Sequence, residues 1–208
     1  MSNLDSKFSI EEIITSSWAN FNNQFIFWIG ITLFSLIVSS VSNMSVLVTP
    51  ISMYFSASIA LMYVNYMRNL KVSINDLISV NASTFIHYVF VNICCGVAVI
   101  MGLICFIVPG IYLATRLIFA QYLVIDQHKS FDEAIKMSWK ITKGEEFNLF
   151  LFIIAMCLLI IVGACVFLVG LLVAMPIAGL CTASLYLIFF RSEINSIEEV
   201  SLDDLDFE

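Results

Sequence analysis

Residues 147–169 read FNLFLFIIAMCLLIIVGACVFLV, a stretch without a single charged side chain. A helix that crosses a bilayer needs about 20 consecutive, mostly apolar residues. This stretch is long enough, and its one strongly polar residue, Asn148, lies next to its start. The stretch therefore predicts a membrane-spanning helix.

The composition of the whole chain is also typical of a membrane protein. Of the 208 residues, 61% are apolar and 12% are charged, whereas soluble domains are roughly 45–50% apolar and about 25% charged. So little polar surface cannot coat a water-soluble globule, and the apolar side chains must face lipid as well as one another. We therefore expect an all-α polytopic membrane protein.

Six apolar runs follow one another along the chain, and each predicts one transmembrane helix. The fourth run is short and contains Arg116, but the turn before it and the charged loop after it leave it no other place. The runs occupy residues 25–42, 44–67, 86–108, 110–125, 147–169 and 171–190.

The three prolines of the chain lie near the starts of the second, fourth and sixth runs. Proline is tolerated in the first turn of a helix and disfavoured in its interior. This placement predicts three tight helical hairpins, with turns marked by Pro50, by Pro109 with Gly110, and by Pro176.

A short amphipathic helix is predicted ahead of each hairpin. Serine precedes an acidic residue by three positions at Ser9, Ser73 and Ser130, which is the spacing of a capping box. Apolar and small residues then recur on one helical face. The chain thus reads as three repeat-like units, about 9–68, 73–126 and 130–191, with chance similarity among apolar segments as the alternative.

The acidic residues are concentrated at the C-terminus. Seven of the sixteen lie within residues 193–208, so we expect residues 192–208 to form an acidic, disordered tail outside the 1–191 membrane domain. An acidic excess of this kind argues against nucleic acid as a partner.

Basic residues lie on one side of the predicted bundle. The predicted hairpin turns, near 43–49, 108–110 and 169–176, contain no charged residue. Lysine and arginine favour the cytoplasmic side of short loops, so both termini are predicted to be cytoplasmic. The basic residues on that side are Lys7, Arg68, Lys71, Lys129, Lys136, Lys140, Lys143 and Arg191.

One segment of the chain resembles a known family. The proline-glycine turn and arginine-bearing helix of 108–117, the acid-ended stretch 122–126 and the basic amphipathic segment 130–144 resemble the uncharacterised bacterial multi-spanning proteins of the YciC type and the membrane domain of some glycerophosphoryl diester phosphodiesterases. The resemblance implies a six-span bacterial inner-membrane protein. Where that domain accompanies a phosphodiesterase, the chemistry belongs to a separate soluble domain.

Arg116 is the most informative single residue, because an arginine inside the hydrocarbon costs about 2.5–3.5 kcal/mol on insertion scales. Two interpretations stay open for a site formed by Arg116, Gln121 and Tyr122. The site is either structural, with the guanidinium paired to neighbouring spans or reaching the headgroups, or it binds an anion or a lipid phosphate. Other aromatic residues are expected to be interfacial anchors, namely Trp28, Tyr54, Tyr63 and Tyr66.

The segment from Ser130 to Thr142 predicts a helix at the cytoplasmic surface. Its apolar face is formed by Phe131, Ile135 and Trp139, and its other face carries Lys136 and Lys140. Such a helix binds headgroups or an acidic partner, or it only packs beneath the bundle. We keep both alternatives.

No pattern in the sequence is typical of catalysis, of a metal site or of a cofactor site. The six cysteines lie in apolar runs, without metal-ligand spacing, and are expected to be buried. We therefore expect no enzyme, no metal and no cofactor. The predicted role is a membrane scaffold or lipid-interacting factor, and the alternative is a small transporter or channel component. Membrane lipids are the expected partners, and a protein partner at the cytoplasmic face and a homo-oligomer stay open.

Overall fold

The computed structural model describes residues 8–42, 49–165 and 167–205, and these residues form nine α-helices and one 3₁₀ helix. The 3₁₀ helix is Ile74–Ile78. The α-helices are α1 (Ile10–Asn23), α2 (Phe25–Ser42), α3 (Thr49–Met67), α4 (Ala82–Cys105), α5 (Ile107–Leu117), α6 (Ala120–Gln127), α7 (Phe131–Ile141), α8 (Glu146–Cys165) and α9 (Phe167–Leu205).

Four helical segments of the described residues are long and apolar enough to cross a membrane. They are Ala82–Cys105, Val108–Gln127, Glu146–Cys165 and Gly170–Asn195. Helices α1 and α2 would make a fifth if they count as one bent span. The chain is therefore all-helical with four to five candidate spans, and α3, which has several polar residues, does not qualify by hydropathy.

Helices α1 and α2 meet at an angle of 95°. The break lies at Gln24, whose φ of −136° and ψ of 42° are not helical. Helix α1 buries Ile13, Ser17 and Phe21 and packs mainly against α9. An amphipathic helix with one buried face, followed at a right angle by an apolar helix, corresponds to the first of the predicted units.

The second predicted amphipathic helix is shorter than expected. Only Ile74–Ile78 is helical, as a 3₁₀ helix capped by Ser73 and Asp76. Residues that were expected to continue it start the next helix instead, because Asn81 has extended backbone angles and is the N-cap of α4. Asparagine is favoured at the N-cap of a helix and disfavoured in a helix interior, which agrees with a helix that begins after Asn81.

Glycines bring the two arms of the later hairpins into backbone contact. A Cβ atom on Gly102 would lie 2.8 Å from the Cα of Gly110, so α4 and α5 touch main chain to main chain. A Cβ atom on Gly163 would lie 2.6 Å from the Cβ of Ala174, which gives the α8–α9 pair the same close approach. Small residues at such crossings are characteristic of helix packing in membranes.

The turns do not all lie where the prolines suggested. Pro50 is the second residue of α3, as expected, although the turn before it lies outside the described residues. The second turn is at Phe106, so Pro109 and Gly110 lie in the first turn of α5. Pro176 was wrongly placed at a turn, because it lies inside α9. Neighbouring helices in a membrane protein can accommodate the hydrogen bond lost there.

The fourth apolar run is divided into two helices by a two-residue turn, although the backbone of Ile118 and Phe119 stays in the helical region and the run remains one candidate span. Helix α5 ends at Leu117 and α6 begins at Ala120. Phe119 is fully buried at this break and its ring lies 5.3 Å from that of Phe189 on α9. Helix α6 buries Ala120 and residues 122–125, so it is a core element of the bundle end.

Helix α9 continues through the segment expected to be a disordered tail. It runs to Leu205, and residues 192–205 contain neither glycine nor proline. Glu193 forms an ion pair of 2.6 Å with Lys140 of α7, which ties the start of this segment to the bundle. The absence of a helix breaker is compatible with the continuation.

Candidate functional site

Arg116 is the centre of a buried polar cluster between α5, α7 and α8. Its residue is only 4% exposed. Its Nε donates to the Tyr112 hydroxyl at 3.1 Å, and one terminal nitrogen donates to the Trp139 carbonyl at 3.1 Å. The other terminal nitrogen lies 2.9 Å from the Glu146 carboxylate. We call these residues, with Ser138 and Thr142, the Arg116 cluster.

Two aromatic rings also flank the guanidinium of Arg116. Its central carbon lies 5.3 Å from the centre of the Tyr112 ring and 5.0 Å from that of Trp139. A planar guanidinium suits such contacts, because it stacks on aromatic faces and is weakly hydrated. The charge of Arg116 is therefore compensated inside the protein by one carboxylate, by hydrogen-bond acceptors and by two rings.

Helix α7 and its C-cap supply the Trp139 carbonyl and the Thr142 hydroxyl to Arg116, and the start and small residues of the helix fix its position. Ser130 and Glu133 form a capping box, and the hydrogen bond from the Ser130 backbone lowers the pKa of Glu133. Further along, the Ser138 hydroxyl donates to the Arg116 carbonyl at 2.8 Å. A short side chain at this position lets α7 approach α5 closely, which places the end of α7 against the guanidinium.

The structure separates the three residues that were predicted to form one site. Gln121 and Tyr122 lie beyond the break between α5 and α6, where they line a different cavity. Tyr122 is buried and stacks on Tyr186 at 5.5 Å. The prediction of a joint site was wrong because residues five and six positions apart on a helix point in different directions, whereas neighbours on one face are three or four positions apart.

The predicted surface helix is present as α7, and the small residues of its predicted face are buried while the large apolar ones are more exposed. Ala134, Ser138 and Ile141 are the buried residues, whereas Phe131 and Trp139 are each 39% exposed and Ile135 is half-buried. The small residues face the bundle because Ser138 must reach Arg116. Both rings are left at the edge of the helix.

Both lysines of α7 are engaged in ion pairs. Lys136 lies 2.6 Å from Asp132 on the same helix, and Lys140 lies 2.6 Å from Glu193. Each lysine side chain is more than two-thirds exposed, at 74% and 68%. Exposed pairs of this kind contribute only about 0–1 kcal/mol, so both lysines can exchange partners.

A second buried cluster, which the sequence analysis did not predict, surrounds Asp126. The carboxylate receives a bidentate ion pair from Arg68, whose second contact is 2.7 Å. The Tyr186 hydroxyl donates to it at 2.7 Å and the Gln127 amide at 2.6 Å. The Asp126 side chain is only 2% exposed. The opposite charge comes from Arg68, which is distant in sequence and follows the end of α3.

An open cleft of about 1000 Å³ lies beside this second cluster. Its walls come from the end of α3 and from α9, and among the described residues they include Arg68 and Arg191 but no acidic residue. Arg191 is exposed, and among the described residues no carboxylate lies within ion-pair distance of it. We call this feature the arginine cleft, lined by Met67, Arg68, Asn69, Ser184, Leu187, Ile188, Phe190, Arg191, Ser192, Ile194 and Asn195.

Comparison with known proteins identifies one family for this bundle. Residues 85–191, which include the Arg116 cluster, Asp126 and α7, match the family model described as the membrane domain of glycerophosphoryl diester phosphodiesterase. No curated protein and no solved structure matches the chain. The match covers α4 to the middle of α9, the part with all four candidate spans that qualify without a bend.

Proposed function

Because the chain belongs to the family of the membrane domain of glycerophosphoryl diester phosphodiesterase, we propose that this integral membrane protein is a non-enzymatic scaffold that holds anionic phospholipid in the arginine cleft. The observation that carries the proposal is Arg191, an exposed arginine in a cleft without acidic lining. Charged residues elsewhere in the bundle interior, Arg116 and Asp126, are already paired within the protein.

The chemistry of the arginine cleft suits a phosphodiester headgroup. Arginine binds phosphate through a planar array of N–H donors. The donors of Arg68 that face Asp126 are occupied, whereas Arg191 has no carboxylate partner among the described residues. Leu187, Ile188 and Ile194 give the same cleft apolar walls, against which an acyl chain can lie. One lipid can thus satisfy both kinds of surface.

Native mass spectrometry tests lipid binding directly. The protein in nanodiscs with phosphatidylglycerol should retain this lipid on gentle release, and nanodiscs with only phosphatidylcholine should give less retained lipid. Arg191→Gln should weaken retention about fivefold, since one basic residue near an anionic surface contributes about 1 kcal/mol. Lys71→Gln is the matched control, because Lys71 is exposed and follows the end of α3, one wall of the cleft, but does not line the cleft itself. Equal retention in wild type and Arg191→Gln would refute the cleft as the lipid site.

The proposed membrane arrangement is six spans in three hairpins, in a bacterial inner membrane, with both termini in the cytoplasm. The contact between Arg68, Asp126 and Tyr186 supports it, since this contact joins the end of α3, the end of α6 and the later part of α9. Those are the exit points of the second, fourth and sixth runs. The positions of lysine and arginine in the sequence support the cytoplasmic orientation of these exits.

A topology experiment tests this arrangement. A fluorescent protein that matures only in the cytoplasm should fluoresce when it is fused after Glu208. In a cysteine-free background, Ser45→Cys should react with a membrane-impermeant thiol reagent from outside and Lys71→Cys should not. A dark fusion or external labelling at position 71 would contradict the arrangement.

The absence of catalysis is likewise part of the proposal. The purified protein should release no product from a glycerophosphodiester, the substrate class that the name of the family's enzymes implies. The non-enzymatic role would be overturned by hydrolysis above that of empty nanodiscs. That hydrolytic activity would have to copurify with the protein and disappear in one of the protein's variants.

A further inference from the structure

A cavity of about 280 Å³ lies between α2, α3, α4 and α6, and it shares no lining residue with the arginine cleft. Its polar lining includes Ser35, Ser39, Ser52, Ser56, Tyr88 and Gln121. The two serine pairs are each spaced by four residues, on α2 and on α3, so each pair lies on one face of its helix. We call this feature the hydroxyl cavity.

Among the described residues, the lining of the hydroxyl cavity contains hydroxyl and amide groups but no lysine, arginine, aspartate or glutamate. A charged ligand would therefore find no counter-ion in this lining. The lining selects for a neutral ligand that makes several hydrogen bonds. Apolar surfaces from Phe55, Ile59 and Ala60 complete the wall.

The hydrogen-bonding capacity of the lining is only partly used within the protein. Ser35 donates to the Thr32 carbonyl at 2.9 Å, and Ser52 donates to the Thr49 carbonyl at 2.8 Å. Both serine oxygens thereby keep lone pairs that can accept. Ser56 and Tyr88 are 3.4 Å apart, at the long limit of a hydrogen bond. Among the described residues, none is hydrogen-bonded to the side-chain amide of Gln121, which has two donors and one acceptor.

The volume bounds the size of the ligand. Water occupies about 30 Å³ per molecule in the liquid, so the cavity has room for about nine waters or one small polyol. It lies at the lower end of ligand-pocket volumes, roughly 300–1,000 Å³. A whole phospholipid cannot enter, although the hydroxyl-bearing end of a neutral lipid can.

We propose that the hydroxyl cavity is a binding site for a neutral polyhydroxyl group, with Gln121 as the donor and the serine oxygens as acceptors. The group belongs either to a free small polyol or to the headgroup of a neutral glycerolipid. This site is separate from the arginine cleft, so it does not depend on the proposed binding of anionic lipid.

Two probes distinguish the two sources. Saturation-transfer NMR with glycerol on the protein in nanodiscs reports a free polyol, and native mass spectrometry after incorporation of diacylglycerol reports a neutral lipid. At least one probe should bind to the wild-type protein. Binding of that probe should fall at least fivefold in Gln121→Leu and in Ser56→Ala. Ser40→Ala is the matched control, because the Ser40 hydroxyl is exposed, donates to the Leu36 carbonyl on its own helix and does not line the cavity.

The outcomes separate cleanly. A glycerol signal lost in both cavity variants supports the free polyol, and lost diacylglycerol retention supports the lipid. Ser56→Ala removes one hydroxyl without adding volume, so it keeps the test valid if Gln121→Leu does not fold. The proposal is overturned if neither probe binds or if binding survives in both cavity variants. Either result would mean that the cavity holds water only.

Discussion

Replacing Arg116 by leucine is the most direct test of how this bundle tolerates a buried charge. The change removes the hydrogen bonds to Tyr112 and Trp139, the ion pair with Glu146 and two ring contacts. Breaking a buried ion pair by removing one partner costs about 3–5 kcal/mol. The Glu146 side chain is 32% exposed and can be hydrated, which lowers the expected loss to about 2–3 kcal/mol.

The expected loss can be measured as a shift of the thermal midpoint in detergent. For a chain of this length each kcal/mol corresponds to roughly 2–4 °C, so Arg116→Leu should lower the midpoint by about 4–12 °C. Arg116→Lys should recover only part of this loss, because an ammonium keeps the charge but lacks the planar array of donors and the ring stacking. The matched control is Arg191→Leu, which removes an exposed arginine and should change the free energy of unfolding by no more than about 0.5 kcal/mol.

The same variants also separate a structural role of Arg116 from lipid binding. Arg116→Leu should keep its retained phosphatidylglycerol, whereas Arg191→Leu should lose it at an unchanged midpoint. If instead Arg116→Leu releases the lipid without a change in midpoint, Arg116 is a lipid ligand and the contacts described above contribute little to stability.

Three further perturbations address the packing of the helices. Gly102→Ala should destabilise the protein by more than about 1 kcal/mol, since the new Cβ would meet the α5 backbone at 2.8 Å. Its control, Gly96→Ala, meets nothing within 4 Å and should stabilise the protein by up to about 1 kcal/mol through helix propensity. Equal thermal midpoints for the two variants would contradict the close approach of α4 and α5. Arg68→Gln should lower the thermal midpoint more than Asp126→Asn. Arg68→Gln leaves the Asp126 carboxylate, 2% exposed, without its cation, whereas Asp126→Asn leaves the Arg68 guanidinium, which is 32% exposed and can reach water. The reverse order of midpoints would refute this account. Lys140→Glu should place an acid beside Glu193 and speed amide hydrogen exchange after residue 192. The thermal midpoint should change little, since Lys140 is 68% exposed. Unchanged exchange would show that this ion pair does not hold α9.

The hydropathy of the sequence was sufficient to locate the long helices. The run predicted at 25–42 coincides with α2, and the run predicted at 147–169 contains most of α8. Bilayer thickness sets the length of such helices, so the length of an apolar run in the sequence is enough to predict them. The turns were less predictable, as Pro176 shows, because a membrane helix can contain a proline that a soluble helix would exclude.

The contacts between helices were much harder to predict. In a bilayer both the lipid-facing and the bundle-facing surfaces are apolar, so periodicity does not reveal which face packs. Trp28, expected at the interface, is fully buried and stacks on Tyr63 at 4.9 Å. Four of the six cysteines, expected to be buried, are exposed on the outer surface instead.

The two ion pairs illustrate the same limit at the candidate site. Arg116 was identified from its position in an apolar run, yet its partner Glu146 is thirty residues away, with α6 and α7 between them. Arg68 and Asp126 are 58 residues apart. A sequence shows that a buried charge requires compensation, but the partner depends on how the hairpins pack. The spacing of Ser138 and Thr142, four residues apart on one face of α7, was the available signal for the acceptors.

The length of α9 sets how far the C-terminal acids can stand from the candidate span. That span ends at Asn195, and the helix continues to Leu205. At a rise of about 1.5 Å per residue, a helix that continues in line with the span places residues 203 and 204 about 12–14 Å beyond its end, but residues 198 and 199 only about 4.5–6 Å beyond it. The Debye length at physiological ionic strength is about 8 Å, so only the farther acids are screened from charges at the end of the span. A flexible tail would instead let all of them fold back toward it.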